Sequence, residues 1–160
     1  MTVRAGTLAI TTLGLLAAWL GAAVIVSAVV APAAFAVLPS RTLAGALVGR
    51  VLPVLFWTGI SLGIVTAMVA RAVGAGWFGV GAAVVLAAAC AVAQLVISPR
   101  IEAIRSAIGG PVDALDPSDP RRQAFGKLHG MSVLWMGVGA VAALVSLVVL
   151  ARFITSRSTT

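Results

Sequence analysis

The sequence predicts an all-α integral membrane protein: an antiparallel four-helix transmembrane bundle with a short amphipathic helix after the first span. Three observations predict it. Of 160 residues, 61% are hydrophobic and 9% charged, whereas a soluble domain carries about 25% charged residues. The mean hydropathy is +1.16. Four apolar runs also stand between the charges, and a bilayer core about 30 Å thick takes about 20 such residues per helix. We read residues 1–160 as one four-helix transmembrane domain, with spans at about 7–37, 51–70, 76–97 and 128–151.

The first run extends from Thr7 to Leu38 without a charge. It exceeds one bilayer thickness, so it should tilt or protrude. Arg4 before it and Ala34-Phe35-Ala36 within it imitate a secretion signal. The run is about twice the length of a secretory apolar core, which argues against cleavage. Leu38-Pro39-Ser40 should end this helix. Arg41 to Leu52 reads as the amphipathic helix, with Arg41 and Arg50 snorkelling to headgroups. Pro53 then begins or kinks the second span, which lies between Arg50 and Arg71. The connection from Ala72 to Ala75 is short enough to make spans two and three antiparallel neighbours.

The third span should run from Gly76 to Ile97 and continue as a cytoplasmic extension over 98–108. Pro99 either kinks it or sits at the first position of a new helix capped by Ser98. Gly109-Gly110-Pro111 stops the helix, and Asp113 to Ser118 is acidic and turn-rich. Asp119 before Pro120 predicts an N-cap followed by proline at the first helical position. The fourth helix should therefore start outside the membrane, with 120–127 as a second extension.

The net charge of +7 needs no nucleic acid, because basic residues gather at helix ends in membrane proteins. Connections one and three with their flanks hold Arg41, Arg50, Arg100, Arg105, Arg121, Arg122 and Lys127. The other side holds Arg4, Arg71, Arg152 and Arg157. The positive-inside rule places the long connection in the cytoplasm and both termini outside the plasma (inner) membrane. Cys90 is the single cysteine, so no intramolecular disulfide forms.

His129 is the single histidine, and it sits where a basic segment becomes apolar. If helices three and four run antiparallel from the Gly109 and Asp119 ends, Ser98 is level with His129. Glu102 is then level with Phe125, Gln94 with Val133 and Cys90 with Gly137. Gln94, Ser98, Glu102 and Arg105 share one helical face by spacing. With Arg100, Phe125, Lys127, His129 and Ser132 they form a candidate polar site at the mouth of helices three and four. We expect His129 to contact Ser98, Arg100 or Glu102. Such groups in membrane segments often mark function. At the interface they also anchor helix ends and tie helices together, and the sequence leaves both readings open.

Other signals are weaker. Gly45 and Gly49, Gly59 and Gly63, and Gly126 and Gly130 are small residues four apart that let helices approach. Trp77 suits an interfacial belt, while Trp19, Trp57 and Trp135 should fill the bundle. Met131, Met136, Cys90 and His129 are soft ligands for Cu(I), but no paired spacing fixes a metal geometry. One histidine cannot supply two axial imidazoles to a haem. We expect no metal and no cofactor. No nucleophile–base pair, phosphate loop or carboxylate pair predicts an enzyme.

Ala31-Pro32-Ala33-Ala34-Phe35-Ala36-Val37-Leu38-Pro39 resembles the "APALFRVLP" pattern after the first helix in bacterial relatives of transmembrane protein 205. Ser98 to Arg105 is similar to the "SPRIEALR" motif of those proteins. Phe125 to Leu134 resembles their "FGRLHGLSVL" motif. The resemblance covers about Leu15 to Leu150 and implies a four-helix membrane domain of unknown function. It gives the Pro99-Arg100 and His129-Gly130 pairs a shared role without supplying an activity. Met136 departs from the pattern, which often has asparagine there, so the chain lacks that polar group.

Two function classes follow. The first is a non-enzymatic protein that binds or transports a small ion or solute at the mouth of helices three and four, placing an anion, a metal ion or a proton at Arg100 and His129. Oligomerisation would supply walls that one protomer lacks. The second is a structural or accessory subunit docked on a larger membrane complex or anionic lipid. The expected partners are the lipid bilayer and another copy of the chain or a membrane protein. A cofactor-bearing membrane oxidoreductase is a third, weaker class.

Overall fold

In a computed structural model, residues 3–158 are described, with side-chain surroundings from residue 6 to residue 156. The side chains of Arg4 and Arg157, counted above for orientation, lie outside these limits. Among the described residues every regular element is helical. The order is α1 (Val3–Ile25), a π-turn (Val26–Val30), α2 (Ala31–Val37), α3 (Arg41–Val73) and α4 (Gly76–Ala91). A second π-turn (Val92–Ile97), α5 (Ser98–Ile108), a 3-10 turn (Val112–Ala114) and α6 (Pro120–Ser158) follow. Four continuous helical stretches are long and apolar enough to cross a membrane: Gly6–Val37, Arg41–Val73, Gly76–Ile108 and Pro120–Ser156. The chain is a multi-pass membrane protein.

Prolines explain both π-turns. A proline lacks the N–H that would bond four residues back, and its ring strikes that carbonyl. Widening the turn by one residue relieves both problems. Ahead of Pro32, the Ala31 N–H reaches the Val26 carbonyl. Ahead of Pro99, the Ser98 N–H reaches Ala93, and the Ser98 hydroxyl donates to the same carbonyl at 2.9 Å. Ser98 is thus helical (φ −56°, ψ −44°) and caps no new helix.

The helices begin and end on local signals. Ser40 is extended, and its hydroxyl accepts from the Leu43 N–H at 3.2 Å to start α3. Gly74, at φ 78°, ends α3 in a left-handed conformation that glycine adopts without steric cost. Asp119 accepts from the Arg121 N–H at 2.8 Å, and α6 starts at Pro120.

The second span corrects one expectation. Residues 41–52 are no separate amphipathic helix but the first turns of the 33-residue α3, and Pro53 sits inside it. Ser40 supplies the start signal, and no second one precedes Pro53.

Small residues set the packing. A Cβ on Gly63 would lie 2.7 Å from the Ala87 nitrogen and 2.8 Å from the Ala83 oxygen. A Cβ on Gly59 would lie 2.5 Å from Cys90 Sγ and 2.8 Å from the Trp19 ring. Gly79 meets Val149 and Gly139 meets Cys90, two residues beyond the Gly137 expected at that level. Leu16, Trp19, Phe56, Leu86, Cys90 and Ala143 belong to the central core, and the Trp19 indole donates to the Leu55 carbonyl at 2.9 Å. Ala9, Val73 and Leu150 form a second cluster.

Trp135 packs against the core, but Trp57 does not fill the bundle; it is 51% exposed. Its neighbours Leu55 and Phe56 take the inward positions. Trp77 is exposed and lies against Phe78, with ring centroids 4.3 Å apart. Exposed Val37, Val54, Met68 and Leu134 complete an apolar outer surface suited to lipid.

Candidate functional site

A cleft of about 350 Å³ opens where α3 begins, α5 ends and α6 begins. Its walls come from Gly45, Val48, Gly49, Leu52 and Pro53 of α3 and from Ser98, Ile101, Glu102 and Arg105 of α5. Phe125, His129 and Ser132 of α6 form a third wall, and Phe35, Arg41, Thr42 and residues 110–113 complete it. Helical spacing puts these side chains there. Ser98, Glu102 and Arg105 fall at i, i+4 and i+7, as do Phe125, His129 and Ser132.

Six of the nine predicted site residues line this cleft: Ser98, Glu102, Arg105, Phe125, His129 and Ser132. Arg100 and Lys127 are exposed and do not line it. Each stands two residues from a lining residue, about 200° around the helix. Gln94 is also outside it. The π-turn inserts an extra residue between Gln94 and Ser98, which rotates Gln94 about 100° from the expected face. Its Oε1 is buried without a hydrogen-bond partner.

His129 shares the cleft with Ser98 and Glu102. Among the described residues no hydrogen bond or ion pair joins it to Ser98, Arg100 or Glu102. Its ring lies parallel to Phe125, with centroids 6.3 Å apart and 5° between planes. Phe125 stands one turn before it on the same helix.

Arg105 is the central charge of the cleft. Its Nη2 lies 2.7 Å from where a Gly45 Cβ would stand, and Nη1 lies 3.4 Å from that of Gly49. On the other side its guanidinium carbon is 5.9 Å from the Phe125 ring centroid. The group therefore occupies a slot between two glycines and an aromatic face. Among the described residues it has neither a hydrogen-bond acceptor nor a carboxylate partner. Glu102, one turn away, has no ion pair either. Arg41, by contrast, pairs with Asp113 at 3.4 Å on the rim.

The connection between α5 and α6 is braced from outside. Arg122 donates to the Leu115 carbonyl at 2.7 Å. Asp116 accepts from the Ser118 hydroxyl at 2.6 Å and its N–H at 2.8 Å, and these bonds hold its carboxyl below its ordinary range. Arg121 does the same for Asp119, through a side-chain ion pair at 2.9 Å and its own N–H.

Sequence reasoning assigned Arg41 to lipid anchoring and the Gly45–Gly49 pair to helix packing. The clue to another role was position: the glycine pair begins four residues after Arg41, at a polar helix end. Phe35 and Asp113 carried no signal of their own. Gly126 and Gly130 meet nothing within 4 Å, so they bring no helix of this chain close. A second, shallow groove between α4 and α6 is lined by Ala82, Val85, Leu134, Val141 and similar residues. It offers no polar group.

Residues 14–109 match the family described as a domain of unknown function, DUF4149. The matched region holds α2 and its proline, all of α3 and α4, and the Ser98–Arg105 stretch. No curated protein and no solved structure matches the chain.

Proposed function

This chain belongs to the DUF4149 family, and from that premise we propose that it is a non-enzymatic binding or transport protein whose site is the α3–α5–α6 cleft. One observation carries the reading. The Arg105 guanidinium is held in a built slot and is left without a protein acceptor. A guanidinium presents five N–H donors in a rigid fork suited to planar or tetrahedral anions. With its donors unmet by the protein and not sealed from solvent, the guanidinium is free to take its acceptors from a ligand.

The remaining features fit around that reading. Reversed contact order between neighbours, Gly59 to Cys90 and Gly63 to Ala83, supports an antiparallel bundle. The excess of basic residues at the α3 and α6 starts favours a cytoplasmic cleft, termini outside and a plasma-membrane location. The motif likeness to bacterial relatives of transmembrane protein 205 is consistent with a four-helix protein, and two of its three motifs fall within residues 14–109. An oligomer would extend the walls of one thin protomer. An accessory subunit remains the second class. The apolar groove of α4 and α6 favours it, as a face for another membrane helix.

Ser98→Cys in membrane vesicles tests the reading, using membrane-impermeant thiol reagents of opposite charge. Cys90 is buried and gives a low background. The expected result is modification from one side only, with the anionic reagent slowed by Arg105→Gln. No modification from either side would overturn the cleft and favour the accessory subunit. The reactive side also reports orientation.

A further inference from the structure

We infer that the cleft binds the headgroup of an amphiphile carrying a phosphate and a primary ammonium, with the phosphate on Arg105 and the ammonium on Glu102. The inference rests on the cleft being a binding site and adds the class of ligand.

The charges of the cleft decide the headgroup. Arg41 and Asp113 pair with each other at 3.4 Å on the exposed rim. That leaves one cation, Arg105, and one carboxylate, Glu102, on the same wall and three residues apart. Side chains at this spacing stand about 5–6 Å apart at Cβ and readily pair. These two do not, because Arg105 is turned toward Gly45 and Gly49. A ligand of single negative charge would leave Glu102 beside its own anion. A ligand with both charges satisfies both residues. His129 also faces the cleft, on the α6 wall.

The kind of ammonium follows from the surroundings. A quaternary ammonium has no N–H to donate and is recognised by open aromatic faces. The Phe125 ring is taken on one face by Arg105 and lies parallel to His129. A primary ammonium donates three hydrogen bonds. Glu102 can accept them, and so can the Gly49 carbonyl, whose helical donor is missing because residue 53 is proline.

The inner wall argues for an acyl chain. Below the charges lie Val48, Leu52, Pro53 and Ile101. A free phosphate ester would leave this surface wet, whereas an acyl chain covers it at about 25 cal/mol per Å². The charged end sits at the helix starts, where headgroups reside.

The test is lipid binding by native mass spectrometry of the full chain released from nanodiscs. The discs contain equal fractions of phosphatidylethanolamine, phosphatidylcholine and phosphatidylglycerol, and soluble phosphoethanolamine is added in a separate arm. The expected preference for phosphatidylethanolamine over phosphatidylcholine is about tenfold, the scale of one hydrogen bond to a charged group. Glu102→Gln should abolish that preference and keep phosphatidylglycerol bound. Arg105→Gln should weaken all three, and Arg105→Lys should restore part of the loss. Arg100→Gln, outside the cleft, should change nothing and so controls for folding. Equal binding of the ethanolamine and choline lipids overturns the ligand class. If the anionic reagent at Ser98→Cys still responds to Arg105, the binding site itself survives that result. Binding of soluble phosphoethanolamine as tightly as the lipid overturns the amphiphile. Binding of all lipids unaffected by Arg105→Gln overturns the placement.

Discussion

Helix α3 carries two glycine pairs with the same spacing, and the structure uses them differently. Gly59 and Gly63 face other helices, where a Cβ would strike Cys90, Trp19 and the α4 backbone. Gly45 and Gly49 face the end of one flexible side chain, Arg105. The first pair closes the bundle, and the second opens a slot. Spacing alone states that something approaches closely. Whether it is a helix or a charged group depends on depth in the membrane.

The comparison breaks first at Gly63. The atoms a Cβ would meet there include backbone nitrogen and oxygen, which cannot move without shifting α4. Gly63→Ala should therefore destabilise by about 1–3 kcal/mol, the usual cost of overpacking. A detergent thermal melt of the purified variant checks it; an unchanged midpoint would mean that α3 and α4 have slack. A smaller loss, about 0.5–1.5 kcal/mol, is expected for Trp19→Phe from the missing indole hydrogen bond. The Leu55 carbonyl keeps the Thr58 hydroxyl at 2.9 Å, so it is not orphaned.

Gly45→Ala sharpens the contrast. The new methyl meets Nη2 of Arg105, which can swing away, so stability should change by no more than about 0.5 kcal/mol. The slot should nevertheless be lost. The anionic reagent at Ser98→Cys should slow as much as it does with Arg105→Gln, and the two substitutions together should add nothing. Additive slowing would show that Gly45 does not position Arg105.

The four long apolar helices were legible because their cause is composition. The Asp119–Pro120 start and the Gly109 stop were legible because caps are local chemistry. The site was legible where a regular helix carries it: Ser98, Glu102 and Arg105 on one side, Phe125, His129 and Ser132 on the other. It failed at Gln94, because simple periodicity does not count the extra residue that Pro99 imposes. Arg100 drew attention for its charge, but its angle on the helix leaves it outside the cleft. The first turns of α3 were missed as a cleft wall because Pro53 suggested a break that the helix does not make.

The smallest effect expected lies at the α6 start. Asp119 is ionised at neutral pH, caps α6 and pairs with Arg121. Its carboxyl is held below the ordinary range by the Arg121 side chain first and the Arg121 N–H second. A carboxyl whose value is depressed in the folded state binds its proton more weakly there than in the unfolded chain. Its contribution is therefore full above the unfolded value, about 3.9, and disappears as pH falls through the lower folded value. Asp119→Ala should lower the melting temperature slightly at neutral pH, and the difference should shrink in acid. Because its Arg121 partner is half exposed, salt should screen the ion-pair part and leave the hydrogen bond to the Arg121 N–H. A difference independent of both pH and salt would mean that α6 starts on Pro120 alone. The wall carrying Phe125 and His129 would then owe nothing to the charged cap.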